Sequence, residues 1–261
     1  MTSVRPNLAA EIEQRIAPVT LAEEELLPVP AALADLFPRR GLQRGWSVGF
    51  SGHGGWSLAL AMLGAATGGD GWAAAVGLEE LGLVAGEELG LGLDRILMVE
   101  APDRDTAETG GTLATVVASL IEVMDVVCLG RIGSVGIRDG RRLMARAREQ
   151  DAVLFHLPPG PGVAPRCGPP PWPHPMDVMI HTEVAGWSGI GVGHGHLATR
   201  QVAVTATGRR SMARPRRVEV LLPGPDGVPA PVPVRGQDPG PVRASAQASG
   251  KQQVGAWPVS A

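Results

Sequence analysis

The sequence predicts an α/β protein with a mainly parallel central sheet, helices on both faces and antiparallel strands at the C-terminal edge. Short apolar runs alternate with stretches of helical spacing, which is the pattern of strand–helix–strand units. The last three strand-like segments, MDVMIHTEV, LATRQVAVTATG and RRVEVLLPG, are alternating or β-branched, as edge strands are.

Taken in order, residues 8–16 (LAAEIEQRI) have helical spacing, and Pro28–Leu36 reads as a short helix before the turn-rich PRRGLQRG. Trp46–Phe50 is a buried strand that ends in the glycine-rich turn SGHGG. The helix WSLALAMLGAA follows and stops at Gly68-Gly69. A second strand (WAAAVGL, 72–78), a helix-like EELGLVAGEELG and a third strand (RILMVEA, 95–101) come next. Thr106–Val123 is long enough for a helix, with its start weakened by Gly110-Gly111. DVVCLG (125–130), the Arg-rich helix IRDGRRLMARAREQ (137–150) and AVLFHLP (152–158) complete the alternation. A Pro/Gly loop runs from Pro158 to Pro175, and beyond Gly224 the composition predicts disorder. The chain therefore divides into an N-terminal helical segment (1–27), a core with a basic β end (28–224) and a Pro/Gly-rich tail (225–261).

Composition narrows the function classes. No run of 18 apolar residues occurs, so no membrane span is expected, and the N-terminus lacks the apolar core of a signal peptide. Cys128 and Cys167 form neither a disulfide framework nor a CxxC knuckle, as befits a reducing cytoplasm. Lys251 is the one lysine among 23 basic residues, and the net charge is −3.

The strand–loop–helix unit at 46–68 carries the most information. In a phosphate loop, glycine lets backbone N–H groups surround phosphates, a lysine reaches the β/γ-phosphates, and a neighbouring hydroxyl holds magnesium. The motif is G-x-x-x-x-G-K-[ST]; residues 50–57 read F-S-G-H-G-G-W-S. Gly55 and Ser57 fit, Phe50 replaces the first glycine, and Trp56 stands where the lysine belongs. No arginine between Arg44 and Arg95 could substitute. Taken as a bare motif, GHGG is equally a tight strand-to-helix turn.

The longer stretch PVPAALADLFPRRGLQRGWSVGFSGHGGWSLALAML is similar to the start of the RecA core. WAAAVGLEELGLVAGEELGLGLDRILMVEAP is similar to that family's second strand, helix and LG-x-x-x-D segment, and VMDVVCLG takes the place of its Walker B strand. The resemblance covers roughly residues 28–158 and rests on order and texture. It implies a P-loop-type core, and the departures from it imply lost catalysis. Leu129-Gly130 stand where the family's strand ends in aspartate, with Asp125 at the strand's start. Leu78 stands where the water-activating glutamate belongs, with Glu79 and Glu80 just beyond. Each loss removes electrostatic stabilisation on the order of several kcal/mol from phosphoryl transfer. The expectation is a non-enzyme without catalytic residues or cofactor, with room for weak ATP binding through Gly52, Gly54, Gly55 and Ser57.

Charge gives a second candidate site. Between Val184 and Gly224 stand Arg200, Arg209, Arg210, Arg214, Arg216 and Arg217, opposed by Glu219 alone. Such arginines grip phosphates without reading sequence, or meet an acidic protein surface. The arginines of 137–150 read equally well as a solvated face. Stacking aromatics are scarce near the cluster, which argues against the usual single-strand binding mode. His194 and His196 form an H-x-H pair without further spaced ligands, so no metal site is expected. Asp177, His181 and Ser188 lack the G-x-S-x-G elbow of a hydrolase.

LLPVPAALADLFP, the loop at 50–57, GVGHGHLATRQVAVTATGR and RRVEVLLPG together resemble the ImuA-type accessory proteins of the bacterial translesion mutasome, in their actinobacterial form. That resemblance implies an adaptor in DNA repair and damage-induced mutagenesis, contacting ImuB-like and DnaE-type polymerase proteins and DNA. Two other readings stay open: a DNA-dependent ATPase of recombination with an unorthodox loop, and a DNA-binding module without an assembly role.

Overall fold

A computed structural model describes residues 26–101, 107–130, 135–157, 174–190 and 195–233. The helix expected at 8–16, most of the 158–175 loop and the tail past 233 lie outside the described residues.

A two-stranded ribbon, β1 (Leu26–Leu27) with β2 (Leu42–Gln43), brackets a 3-10 helix at Ala31–Leu36. The alternating core follows: β3 (Ser47–Gly52), α1 (Gly55–Thr67), β4 (Ala73–Val76), α2 (Leu83–Glu88), β5 (Ile96–Val99), α3 (Ala107–Ile121), β6 (Val126–Leu129), α4 (Ile137–Glu149) and β7 (Val153–His156). β8 (Val178–Ile190), β9 (Gly195–Gly208), β10 (Arg216–Leu221) and β11 (Ala230–Pro231) complete the chain. The strands form one nine-stranded sheet in the order β11-β10-β9-β8-β3-β7-β6-β4-β5. The six strands from β8 to β5 are parallel, and β9, β10 and β11 add antiparallel pairings at one edge. The α/β class and mostly parallel sheet therefore agree with the alternation read from the sequence.

The two faces follow from strand parity. Ala73, Ala75, Val126, Cys128, Val153 and Phe155 point to the side of α1; Ala74, Val76, Val127, Leu129 and Leu154 point to the side of α3 and α4. From β3 the chain steps outward over α1 to β4 and β5, then returns over α3 and α4 to β6 and β7. Right-handed crossovers put the outgoing and returning helices on opposite faces. α1 is apolar nearly all round and is correspondingly buried, from Leu58 through Leu63. α4 buries Leu143, Met144 and Ala147 while its arginines face water. Phe50 and Phe155 meet edge to face across β3 and β7, centroids 5.1 Å apart.

Two segments depart from the sequence reading. β9 falls close to the expected LATRQVAVTATG, and β8 runs past MDVMIHTEV to Ile190. Past Thr182, its last pairing with β3, β8 runs eight residues further paired with β9 alone, a span of about 27 Å. Glycine and small residues (AGWSGI) hide that extension from any periodicity test. Past Gly224, where the tail was expected to begin, Gly224 and Gly227 close a turn against Glu88, and β11 pairs with β10. A Pro/Gly composition describes a turn as well as it describes disorder, so only the pairing distinguishes them.

His156 ends β7, and burial pushes its imidazole down to about 4. The unfolded chain therefore binds a proton near pH 6.5 that the folded chain refuses until about pH 4. This contribution is intact above 6.5 and is lost as pH falls through that window, at a rate on the order of 1 kcal/mol per pH unit. Urea melts of wild type and His156→Gln between pH 7 and 4 check it; the variant should show a flatter acid limb.

Candidate functional site

The loop after β3 is shaped by two left-handed glycines. Gly52 has φ +84° and pairs so closely with β8 that a Cβ would sit 2.0 Å from the Thr182 carbonyl oxygen. Gly54, at φ +104°, caps α1, and its carbonyl accepts the Leu58 N–H at 2.9 Å. The first N–H groups of α1, from Gly55 to Ser57, have no partner within the helix. The loop thus lies at the carboxyl ends of the parallel strands, where open α/β sheets place their ligands.

Its side chains are committed elsewhere. Phe50, in the first-glycine position, is a core residue. Trp56, in the lysine position, packs its ring against the core on the α1 side. Ser57 Oγ accepts a hydrogen bond from Arg200 Nη2 at 2.7 Å.

Arg200 brings a cation beside the loop, which the stretch between Arg44 and Arg95 lacks. It comes from β9, 143 positions downstream, donates Nε–H to the Leu222 carbonyl at 3.1 Å, and lies 5.7 Å from the Trp187 ring centroid. Burial lowers the pKa of this half-buried guanidinium. Its placement follows from parity: Val202, Val204 and Ala206 face the core on the α1 side, so Arg200 projects to the same side as α1. The usable signal in the sequence was R-x-V-x-V-x-A, a charge in register with an apolar face.

Of the other arginines in the sequence-defined cluster, Arg216 and Arg217 stand level with Phe50 and Ser51, and Arg209, Arg210 and Arg214 lie at the opposite end of the sheet. Gly208 pairs with Val178, and Val178 with Val48 near the start of β3. Arg209, Arg210 and Arg214 are exposed at that amino end. Arg216 donates to the Asp35 carbonyl at 3.3 Å, and Arg217 lies 3.8 Å from Glu183 and 3.9 Å from Glu219. The six arginines therefore do not form one surface.

The positions at which the sequence reading sought catalytic carboxylates are otherwise occupied. Gly130, at the end of β6, is so tightly packed that a Cβ would come 2.3 Å from both the Gly77 carbonyl oxygen and Leu78 Cδ2. Asp125, at the other end of that strand, accepts from Arg44 Nη1 at 2.8 Å and from the Trp72 N–H at 2.9 Å. Glu79 accepts the Ala101 N–H at 3.2 Å. Leu78 is buried.

Asp177, His181 and Ser188 have separate partners. Asp177 binds Ser47 and Arg148, His181 Nδ1 lies 3.0 Å from Ser51 Oγ, and Ser188 donates to the Thr199 carbonyl. Among the described residues, no three His, Cys, Asp or Glu side chains converge as a metal site, and no helix is long and apolar enough to cross a membrane. His194 lies outside the described residues. Burial pushes the Cys128 thiol far up, consistent with its place in the core.

Two comparisons bear on this architecture. The family model for the MT3502 N-terminal domain matches residues 35–162, from the 3-10 helix past β7. Uncharacterized protein Rv3395c of Mycobacterium tuberculosis is 34% identical over 152 residues, covering 57% of this chain and 70% of the mycobacterial one.

Proposed function

We propose that this chain, which belongs to the MT3502 N-terminal domain family, is a non-catalytic RecA-like accessory protein of DNA repair and damage-induced translesion synthesis. In this reading it is a cytoplasmic adaptor that holds ImuB-like and DnaE-type polymerase proteins near DNA, with the fold kept for docking. The observation that carries it is the engagement of Ser57 by Arg200. In a working site that hydroxyl holds magnesium and an ε-ammonium reaches the phosphates. Here the hydroxyl is held by an internal guanidinium, and the partly buried Trp56 packs against the core. The packing of Gly130 supports the same reading, since a metal-binding carboxylate has no room there. The resemblance of residues 28–158 to the RecA core, and of the segments around the loop and β9–β10 to ImuA-type proteins, supplies the partner class.

A second reading draws on the same contact. A guanidinium beside Ser57 could serve a DNA-dependent ATPase in the lysine's place. It is weaker, because Arg200 also serves Leu222 and the aspartate position is closed.

Pull-down of purified full-length chain with an ImuB-like protein, after apyrase treatment, separates the two. The adaptor captures its partner undiminished without nucleotide and shows no DNA-stimulated ATP turnover. DNA-stimulated turnover that disappears in Ser57→Ala would overturn the proposal.

A further inference from the structure

We infer that the turn from Arg209 to Arg214 is a docking surface for the phosphodiester backbone of duplex DNA, bound without regard to sequence. The inference deepens the DNA contact of the proposed adaptor and rests on that reading.

Of the six arginines in the basic β end, three are used internally or paired: Arg200 on Ser57 and Leu222, Arg216 on Asp35, and Arg217 beside Glu183 and Glu219. Arg209, Arg210 and Arg214 are exposed, and among the described residues no carboxylate pairs with them. The neighbouring acid, Asp177, already accepts from Ser47 and Arg148, so it does not neutralise them.

The turn presents these charges from a fixed base. Met212, the last residue of the 3-10 helix Arg210–Met212, is fully buried. The Arg209 N–H binds the Asp177 carbonyl at 3.0 Å, and Met212 and Ala213 N–H groups close the turn on Arg209 and Arg210. Arg210 is held at φ +51°, a region that non-glycine residues seldom occupy. A rigid mount lowers the ordering cost of any contact the guanidiniums make.

The choice of occupant rests on what the turn lacks. Ser211, Ala213 and Pro215 are exposed but carry small side chains, and no large apolar side chain is exposed between 209 and 217. Protein interfaces centre on anchors packed into desolvated pockets, and these exposed guanidiniums are flanked in sequence by no large exposed apolar side chain that would exclude water around them. Single strands need aromatic platforms for stacking. Charge alone is sufficient for the duplex backbone, where cations displace condensed counterions.

Fluorescence anisotropy of the full chain on a mixed-sequence duplex of about 20 base pairs, titrated from 50 to 200 mM salt, tests this. R209A/R210A/R214A should lower affinity roughly 10–100-fold at low salt and flatten the log–log salt slope by about 2–3. R209K/R210K/R214K should keep most of the binding. R138A/R141A/R142A, which removes equal charge from the first turns of α4, should leave it unchanged. Matching thermal melts establish that each variant is folded. Equal losses from the α4 and turn variants, or an unaltered slope in the turn variant, would overturn the inference. It would equally fail if the turn variant bound DNA normally and lost capture of the ImuB-like protein. Failed capture by wild type beside intact, turn-dependent DNA binding would instead count against the adaptor reading alone.

Discussion

Gly130→Asp is expected to unfold the protein, although it places a carboxylate where a magnesium-holding strand end would carry one. Before any chemistry is possible, the new Cβ meets the Gly77 carbonyl oxygen and Leu78 Cδ2, each at 2.3 Å. Neither can yield easily. Gly77 donates its N–H to Val99 and sits at φ +62°, and Leu78 is buried in the α1-side core. Gly130 itself donates to the Val76 carbonyl, so moving it breaks the β4–β6 junction. Overpacking on this scale costs about 1–3 kcal/mol, and a carboxylate forced against a carbonyl and a leucine adds roughly as much again. A loss of about 4 kcal/mol or more would leave a marginally stable domain largely unfolded at 37 °C. Urea melts followed by circular dichroism measure it. A variant that stayed folded with a midpoint near wild type, and gained ATP turnover, would show that the site is one substitution from working.

That expectation shows which parts of the site were open to sequence reading. The missing lysine and aspartate could be read directly, because β3 and β6 are short apolar runs whose ends fix the positions in question. The fate of those positions could not be read. Gly130 is legible as a non-carboxylate, but its contact with Gly77 and Leu78 joins two strands through space. Arg200 is the clearer case. Its alternation with Val202 and Val204 places it on the α1 side of β9, yet only the pairing of β8 with β3 and of β9 with β8 brings it over Ser57. As a linear charge count, it fell into a cluster with Arg209–Arg217, of which Arg209, Arg210 and Arg214 stand at the other end of the sheet. The rise of an extended strand, about 3.4 Å per residue, sets Arg200 within β9 far from Arg209 just past its end. The β8–β9 extension and β11 escaped notice because glycine, proline and alanine carry no periodicity. Those segments are held by backbone pairing, which leaves little mark on composition.

Gly52→Ala should be nearly as damaging, for a reason that couples the loop to the hairpin. Two costs combine at this position. A residue with a Cβ at φ +84° gives up about 1–2 kcal/mol of backbone conformational energy. The methyl group would also stand 2.0 Å from the Thr182 oxygen, a backbone atom in the β3–β8 ladder that cannot rotate away. Relief requires β8 to move off β3 at the point where the long hairpin runs on past it. Thr182 is anchored there by its own hydroxyl, which donates to the Ser51 carbonyl. Displacing it shifts β9 and draws Arg200 off Ser57. The expected total is about 3–5 kcal/mol, most of it from the clash. Thermal melts would read the global loss, and amide exchange at 180–184 would show whether the top of β8 opens first. A midpoint within a degree or two of wild type would mean that Gly52 is free of Thr182. Arg200 would then owe its position to the Leu222 carbonyl and the Trp187 ring, and the loop could open to a phosphate without disturbing the sheet.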